Sequence, residues 1–541
     1  MNSNHKYFNC IYGVALSICI VLGFEAQLFG MIKVGAWWTY AIIIVLSVAI
    51  SYLVKIAWRF LADRFYDTQI TLSTAPNKHL YIRSVISIWL MHFVVFLGVY
   101  PGFFVYDAQD ELYQTITRSF NDRHPMLHVL SMGGIVQAFH KITGSYNLGI
   151  AAFILFGMTI TSLVYGYLVY SLRKAGLTKK LSIIFMLYLG LFPVLVMYSV
   201  CSAKDGIFGA FLVMSVMFIK KMTDNPKEFF ETPIASIKLA FFLIMMMLYR
   251  NNGVYAFVVF LFIAVFIFHK TARLKEYTVK FFITGLFSVV AYILINSTLL
   301  FVTSAEDVGH KEILTVPIQQ LARVCSYDKE SLTEDEINRI YSYIPPKAMD
   351  IYNPKCSDLV KIQFNENEYN EAPLEFYKIW IKVGLKHPAA YLNAFVMTSY
   401  GMWCPGAIID GYTGNQVFTF TYGESSYFGY ETEEPGIRKS LIKPIDDLYR
   451  WISLSPVFQR IPVLNLLFSP GFMLWILLFL VGEMIFMNKK LDAMAYLLPI
   501  LVVFTCFLGP MSLVRYVFYL WVFVPMIILE INIKRYYDRK L

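Results

Sequence analysis

Residues 253–269 read GVYAFVVFLFIAVFIFH, an apolar run that Arg250 precedes and Lys270 follows. A run of this length with charges only at its ends is typical of a helix that crosses a bilayer, which needs about 17–25 apolar residues. Similar apolar blocks lie near 9–30, 35–57, 82–100, 146–172, 181–200, 206–220, 235–249, 279–303, 463–487, 492–509 and 511–531. The sequence therefore predicts an all-α polytopic membrane bundle of about twelve transmembrane helices.

The composition excludes an ordinary soluble globular protein. Of 541 residues, 57% are hydrophobic and 15% are charged, whereas soluble domains carry about 25% charged residues. The chain has 46 Lys and Arg against 37 Asp and Glu, which gives a net charge of +9. Because these basic residues are dispersed over short connecting loops, they indicate membrane topology, and we expect no nucleic-acid partner.

Basic residues follow every second apolar block. They are Lys55, Arg59, Arg64, Lys78 and Arg83 after the second block, Arg173, Lys174, Lys179 and Lys180 after the fourth, Lys220, Lys221 and Lys227 after the sixth, Lys270, Arg273, Lys275 and Lys280 after the eighth, Lys489 and Lys490 after the tenth, and Lys534, Arg535, Arg539 and Lys540 after the twelfth. Cytoplasmic loops carry such an excess. We therefore expect a multi-pass protein of the cell membrane with both termini in the cytoplasm. Blocks 206–220 and 235–249 are short. If either one is not a transmembrane span, the predicted orientation of every later span is reversed.

With this orientation one outward segment is long enough to form a domain. Residues 304–462 are expected to form a mixed, mainly helical extracytoplasmic domain. Residues 1–303 precede it as an N-terminal transmembrane bundle of about nine spans, and residues 463–541 follow it as C-terminal transmembrane helices.

Local signals predict elements within this domain. Thr333 and Glu336 form a capping box that begins a helix. A second helix is expected to begin near Pro373 and to be broken or restarted at Pro388. Residues 401–429 are rich in Gly, Tyr, Phe and Thr, and they predict loops with short strands.

The cysteines indicate neither a zinc site nor a disulfide framework. The chain has seven, with no C-x-x-C pair and no His at metal-ligand spacing. Cys325 and Cys356 are the two that could pair if their segment is extracellular.

The first sizeable outward loop, 101–145, is acidic. On a helix Asp107, Asp110, Glu111 and Gln114 would share one face. Three neighbouring carboxyl groups should raise one another's pKa values and favour a cation or a shared proton. The pattern predicts a general base or a divalent-metal site, with Asp107 as the candidate metal ligand. The alternative is a solvated acidic helix start, which suits the helix dipole.

Polar residues of two other segments are candidates for ligand binding. His124 precedes a proline and is held extended, so that its ring could bind a phosphate, a metal or a hydroxyl, and His128 follows it. Gln319, Gln320 and Arg323 could bind hydroxyls or phosphate from a short helix. The alternative for each of the five is a solvated surface position.

Three basic residues lie at the outer ends of predicted spans. Lys204, Arg250 and Arg515 are candidate phosphate ligands: Lys204 would neutralise a phosphate at the level of the lipid headgroups, and the guanidinium forks of the two arginines match phosphate oxygens. Arg515 should lie a turn inside the membrane, where a charge needs an anionic partner. Asp205 and Asn251, beside the first two, would orient the substrate. Alternatively, these basic side chains extend to the membrane surface without binding a ligand.

The ordered set of these motifs resembles a bacterial branch of multi-pass membrane proteins in the GT-C superfamily of integral membrane glycosyltransferases. The motifs that carry the resemblance are Tyr100-Pro101-Gly102 with Asp107 and Gln114, His124-Pro125, Lys204-Asp205, Arg250-Asn251-Asn252, Gln319-Gln320-x-x-Arg323 and Arg515-Tyr516. The resemblance implies a sugar donor carried on polyprenyl phosphate and presented from the outer leaflet. It also implies an envelope glycan or lipid acceptor and contact with membrane lipids.

The resemblance also implies a role for the candidate residues. Asp107 would deprotonate an acceptor hydroxyl or bind a divalent metal such as Mg²⁺ or Mn²⁺. Lys204, Arg250 and Arg515 would stabilise the leaving polyprenyl phosphate. A displacement with one base inverts the anomeric centre. The loop has no Asp-x-Asp, so the metal and the choice of base among Asp107, Asp110 and Glu111 stay open.

Two alternative functions follow from the same sequence. A polysaccharide polymerase or ligase would use the same kind of donor and move a whole chain. A lipid or glycan transporter would place ionisable residues and broken helices at mid-membrane and would have little outer domain.

Overall fold

The structure is a computed structural model that describes residues 3–67, 79–411, 431–454, 457–486 and 490–540. These residues form α-helices, short 3-10 helices and loops, and they contain isolated bridges but no strand. The predicted all-α class is confirmed for them. Loops with short strands were predicted for residues 401–429, of which residues 412–429 lie outside the described residues.

The described helices follow one another closely along the chain. From residue 3 to residue 303 they are α1 (Ser3–Phe29), α2 (Trp37–Asp67), α3 (His79–Gly98), α4 (Ala108–Thr117), α5 (Met126–Thr143), α6 (Tyr146–Lys174), α7 (Lys179–Leu191), α8 (Pro193–Ser199), α9 (Lys204–Asp224), α10 (Pro226–Glu231), α11 (Pro233–Tyr249), α12 (Asn252–Lys270) and α13 (Thr278–Thr303). From residue 304 to residue 462 they are α14 (Thr315–Tyr327), α15 (Glu334–Tyr343), α16 (Lys347–Asp350), α17 (Asp358–Lys361), α18 (Glu366–Glu371), α19 (Pro373–Lys386), α20 (Pro388–Trp403), α21 (Lys443–Leu454) and α22 (Val457–Arg460). The remaining ones are α23 (Pro470–Phe486), α24 (Lys490–Ala495), α25 (Leu497–Cys506) and α26 (Leu520–Lys540).

Several long apolar helices indicate a multi-pass membrane protein. Within the described part of the chain, seven helices are long and apolar enough to cross a bilayer: Tyr7–Phe29, Trp37–Ala57, His79–Gly98, Tyr146–Lys174, Lys204–Asp224, Asn252–Lys270 and Lys275–Thr303. Helices α7 and α8 together make an eighth candidate span if they are counted as one. The chain bends by 58° between them. The bend lies at Pro193, which lacks the N–H that would continue the hydrogen bonding of α7.

The other four predicted spans are helical but short. They are Pro233–Tyr249, Pro470–Ile485, Leu491–Cys506 and Leu520–Glu530. A helix perpendicular to the bilayer needs about 20 residues. Seven or eight candidate spans are therefore supported, and the count of twelve and the orientation stay predictions.

Helix α9 is the central helix of the bundle. In the most apolar stretch of α9, 83% of the residues are buried inside the protein, whereas the corresponding share in α2 is 6%. It packs against α6 and α11. A Cβ at Gly206 would lie 2.1 Å from the carbonyl oxygen of Tyr198, so the glycine is what allows α8 to approach the start of α9.

The connections predicted to face outward meet at one end of the bundle. The main-chain N–H of Phe103 donates to the carbonyl of Val200 at 3.0 Å, which joins loop 101–145 to the connection between α8 and α9. The N–H of Ser357 donates to the carbonyl of Pro510 at 3.0 Å. The long segment 304–462 therefore lies against the loops that the sequence assigns to the same side.

A second apolar core lies within residues 314–391 and is built mainly by α14, α15 and α19. The capping box of Thr333 and Glu336 is present at the start of α15. Helices also begin at Pro373 and Pro388, as predicted. Cys325 and Cys356 both belong to the described residues, and they form no disulfide with each other in this structure.

Candidate functional site

Two adjoining cavities form a cleft where the loops predicted to face outward meet segment 304–462. Their volumes are about 500 and 320 Å³, and we call them the larger and the smaller compartment. Both are lined by Asp107, Arg123, Glu312, Asp358, Lys361, Arg515 and Tyr516. Because they share these residues, the compartments are two parts of one cleft.

The two compartments differ in charge. The smaller one is lined by five Lys or Arg residues and three Asp or Glu residues, and Lys204 and Arg250 occur only there. The larger one is lined by four basic and five acidic residues, including Asp110 and Glu433. The lining of the smaller compartment therefore suits an anion better than that of the larger one.

Asp107 lies on the wall that the compartments share, directly before α4. Asp107 and Tyr106 both have left-handed backbones, with φ of 72° and 63°, a conformation that costs an L-residue about 1–2 kcal/mol. The carboxylate of Glu433 accepts hydrogen bonds from the main-chain N–H groups of Asp107 at 3.2 Å and Gln109 at 2.6 Å. Glu433 thereby stabilises the turn that presents Asp107.

The side chain of Asp107 is 35% exposed. Its Oδ2 lies 3.8 Å from Nη2 of Arg515. Burial raises the pKa of this carboxyl, but electrostatic interactions with His124, Arg515 and Lys204 outweigh burial and hold the pKa below its usual value. At 3.8 Å no hydrogen bond to the arginine occupies the carboxylate. Asp107 is therefore ionised at neutral pH and has oxygens that face the cleft.

Glu111, by contrast, is buried and lines neither compartment. Its carboxylate lies 3.2 Å from Nζ of Lys204, 3.0 Å from Nε2 of His128 and 3.5 Å from Nδ1 of His124. Burial raises the pKa of Glu111, but electrostatic interactions with His128, Lys204 and His124 outweigh burial and lower the pKa. Glu111 thus acts as the counter-ion of Lys204 behind the wall of the cleft. A catalytic base has to contact the substrate, and Glu111 does not face the cleft.

Asp110 is half exposed and lines the larger compartment only. It accepts a hydrogen bond from Gln114 at 3.2 Å. The ring of His124, 3.5 Å away, is the main group that holds the pKa of Asp110 below its usual value. Glu111 raises the pKa of Asp107, as expected, but neighbouring histidine and basic side chains outweigh this effect, so that the pKa of each of the three carboxyl groups is lowered overall.

The predicted phosphate ligands are held by specific partners at the smaller compartment. Nη1 of Arg250 lies 2.6 Å from Oδ1 of buried Asp205 and donates to the carbonyl of Tyr516 at 3.3 Å. The guanidinium of Arg515 stacks over the ring of Tyr106, 4.6 Å from its centroid. Both arginines, together with Lys204, line the compartment, while Asp205 lies behind it.

His124 and Asn251 also line the smaller compartment. The His124 ring is 6% exposed, and its Nδ1 lies 3.0 Å from Nζ of Lys204. Asn251 is exposed at the turn between α11 and α12. The sequence had placed both residues in this outer layer, and the structure brings them together with Lys204.

Three predicted substrate ligands do not line the cleft. The amide of Gln319 donates to a main-chain carbonyl at 2.8 Å, and Gln320 accepts from the indole of Trp380 at 2.8 Å. Arg323 donates to the carbonyl of Gly30 at 3.0 Å. These side chains hold segment 304–462 together and fasten it to the end of α1.

Sequence reasoning missed several cleft residues. They are Arg123, Glu312, Asp358, Lys361 and Glu433. Lys361 is 5% exposed and lies 2.7 Å from Glu312 and 2.8 Å from Asp358. Arg123 adjoins His124, and Glu433 belongs to an acidic run that is visible in the sequence, whereas nothing in the sequence marks the Lys361 group.

The acidic residues do not fit a divalent metal. Within the described part of the chain, no group of three or more His, Cys, Asp or Glu residues is arranged to hold an ion. The carboxylate of Asp107 faces Arg515, and that of Glu111 faces Lys204. Because basic side chains already balance these charges, the described donor set gives no support for the Mg²⁺ or Mn²⁺ ion that the resemblance implies.

Comparison with known proteins gives a family for the whole region. The matching family model is the family of unknown function DUF6020, and the match extends over residues 36–540. This range includes every cleft residue named above. No curated protein and no solved structure matches the chain. The chain therefore belongs to the family of unknown function DUF6020.

Proposed function

We propose that the protein is a membrane glycosyltransferase of the GT-C type, which moves a sugar from a polyprenyl-phosphate donor to an envelope glycan or lipid on the outer face of the membrane. One observation carries the proposal: the ionised and partly exposed carboxylate of Asp107 lies on the wall between a basic and a more acidic compartment. This arrangement provides a base beside an anion site, which the reaction requires.

The smaller compartment is the proposed site of the donor phosphate. Lys204, Arg250 and Arg515 line it, and their partners fix them before a ligand arrives. Preorganised cations stabilise negative charge as it develops on a leaving group. The acceptor would enter the larger compartment, so that Asp107 lies between acceptor and donor.

The proposed reaction has one displacement step. The acceptor hydroxyl oxygen forms a bond to the anomeric carbon while the bond from that carbon to the phosphate oxygen breaks. The hydroxyl proton passes to the carboxylate of Asp107. The electron pair of the broken bond leaves with polyprenyl phosphate, next to Arg515 and Lys204. A single displacement inverts the anomeric centre.

The position of the cleft also bears on the two alternative functions, a transporter and a polymerase or ligase. A lipid or glycan transporter would be expected to bind near mid-membrane, whereas the polar residues here gather at one end, beside segment 304–462. A polymerase or ligase would use the same residues and would differ in the size of the group that it transfers.

Mass spectrometry of envelope glycans and polyprenyl-linked sugars tests the proposal. Four strains would be compared: wild type, a deletion, Asp107→Asn, and Asp335→Asn as a matched control in an exposed residue of α15. We expect the deletion and Asp107→Asn to lose the same glycan modification and to accumulate its polyprenyl-linked donor, while Asp335→Asn behaves as wild type. Normal glycans in the deletion strain would refute the proposal.

A further inference from the structure

A separate cavity of about 450 Å³ lies between the ends of α6, α9 and α26, away from the cleft. Its lining residues are Tyr167, Tyr170, Ser171, Leu172, Lys174, Ala175, Met217, Lys220, Lys221, Asp224, Asn225, Glu228, Met526 and Glu530. These helix ends are the ones that the loop charges assign to the cytoplasmic side. None of the residues lines the cleft.

Part of the cavity wall is a closed, buried charge network. Nζ of Lys220 lies 2.5 Å from Oε2 of Glu530, and the hydroxyl of Tyr496 donates to the same carboxylate. The buried lysine and glutamate therefore neutralise each other. A ligand of the cavity has to be recognised by the remaining groups.

Two lysines of the cavity remain available for an anion. Lys174 ends α6 and Lys221 lies in the last turn of α9, and both are exposed. Within the described residues, neither lies at ion-pair distance from a carboxylate. The other acidic lining residues are Asp224 and Glu228, and the carboxylate of Glu228 accepts a hydrogen bond from the amide of Asn225 at 2.8 Å. Lys174 and Lys221 are thus exposed cations of the cavity that no described carboxylate pairs.

The other walls are suited to the apolar part of an amphiphile. Tyr167 and Tyr170 are partly buried and contact the ring of Tyr81 edge-on. Met217 and Met526 add flexible apolar surface. Tyrosines are typical of the level of lipid headgroups, so this cavity combines unpaired lysines with an interfacial position.

We propose that this cavity binds the phosphate group of an anionic membrane lipid. Lysines at the cytoplasmic ends of transmembrane helices attract such headgroups. Lys174 and Lys221 bind the phosphate oxygens, while the tyrosine and methionine side chains contact the glycerol and the first methylene groups. The bound lipid links α6 to α9. No step of the proposed glycosyl transfer is involved.

Binding to the purified full-length protein tests this inference. Thermal unfolding in detergent would be followed with added phosphatidylglycerol, phosphatidylcholine or inorganic phosphate. The variants are Lys174→Gln/Lys221→Gln, the charge-conserving Lys174→Arg/Lys221→Arg, and Lys179→Gln/Lys180→Gln. The last pair is the matched control, because both lysines are exposed at the same end and do not line the cavity.

We expect phosphatidylglycerol to protect the wild type, the arginine variant and the control. In the Lys174→Gln/Lys221→Gln variant it should bind at least about tenfold more weakly, since each lysine near a headgroup contributes to attraction. Phosphatidylcholine and inorganic phosphate should protect little. Equal protection of the Lys174→Gln/Lys221→Gln variant and the wild type would overturn the site. Equal protection by inorganic phosphate and phosphatidylglycerol would overturn the lipid as its ligand.

Discussion

The carboxylate of Glu433 accepts hydrogen bonds from the main-chain N–H groups of Asp107 and Gln109, at 3.2 and 2.6 Å. Glu433 lies more than 300 residues after Asp107 in the chain. Its contact with the turn couples segment 304–462 to the proposed base. The orientation of Asp107 therefore depends on a residue that is remote in sequence.

Glu433→Gln should slow transfer without unfolding the protein. Glutamine keeps the size of the side chain but has one acceptor oxygen for two N–H donors, so the left-handed turn loses part of its support. Misplacement of a catalytic group by about 1 Å can cost about a hundredfold in rate, and we expect a loss of about tenfold or more. Initial rates at equal protein concentration measure it. Glu434→Gln, in an exposed neighbour, is the control, and an equal loss in both variants would contradict the role of Glu433.

Arg250→Met should destabilise the protein by leaving Asp205 buried without its cation. The pair is joined at 2.6 Å, and Asp205 is 1% exposed. Removing one member of a buried pair costs about 3–5 kcal/mol. Thermal unfolding in detergent measures the effect.

The double variant Arg250→Met/Asp205→Asn separates stability from function. Removing the second charge should restore most of the lost stability, because no uncompensated carboxylate remains. Transfer should stay impaired, since the donor phosphate still lacks a cation. If the double variant regains wild-type transfer, Arg250 is not a phosphate ligand.

Glu111→Gln should reduce stability in a pH-dependent way. The pKa of Glu111 is lowered in the folded protein, below the value of about 4.3 in an unfolded chain. The ionised carboxylate therefore stabilises the fold fully above about pH 4.3, and this contribution is lost as the pH falls through the folded-state pKa.

Thermal unfolding of the wild type and Glu111→Gln between about pH 3 and pH 7 checks this prediction. The variant should melt lower above about pH 5, and the difference should shrink as the pH falls below about 4. Asp335→Asn, in an exposed residue, should show no such trend. A difference that grows in acid would mean that the pKa of Glu111 is raised.

Local signals predicted local structure well. The capping box of Thr333 and Glu336 and the helix starts at Pro373 and Pro388 occur as expected, because each depends on residues a few positions apart. The apolar blocks likewise contain helices, although in the last block, 511–531, the α-helix begins only at Leu520. Their lengths were harder to predict, since a break such as the one at Pro193 divides a continuous apolar run into two helices.

The site was predictable in part. Asp107, Lys204, Arg250 and Arg515 lie at one cleft, because charged residues at the ends of alternating spans come to the same side. The turn at Asp107 was not predictable, because Glu433 supplies its hydrogen bonds. The overall pKa shifts of Asp107 and Glu111 are likewise downward, partly because the fold brings Lys204 and Arg515 from other segments beside them. Gln319, Gln320 and Arg323 looked like ligands, but their partners lie in segments that only the fold brings together.

The most direct test of the central claim is a single-turnover assay of Asp107→Asn. The purified protein, reconstituted in lipid, would receive the polyprenyl-linked donor that accumulates in the deletion strain, and release of polyprenyl phosphate would be followed with acceptor present. We expect Asp107→Asn to lose at least about a hundredfold in rate while it still binds donor, and Asp335→Asn to match wild type. Wild-type release by Asp107→Asn would contradict the claim that Asp107 is the base.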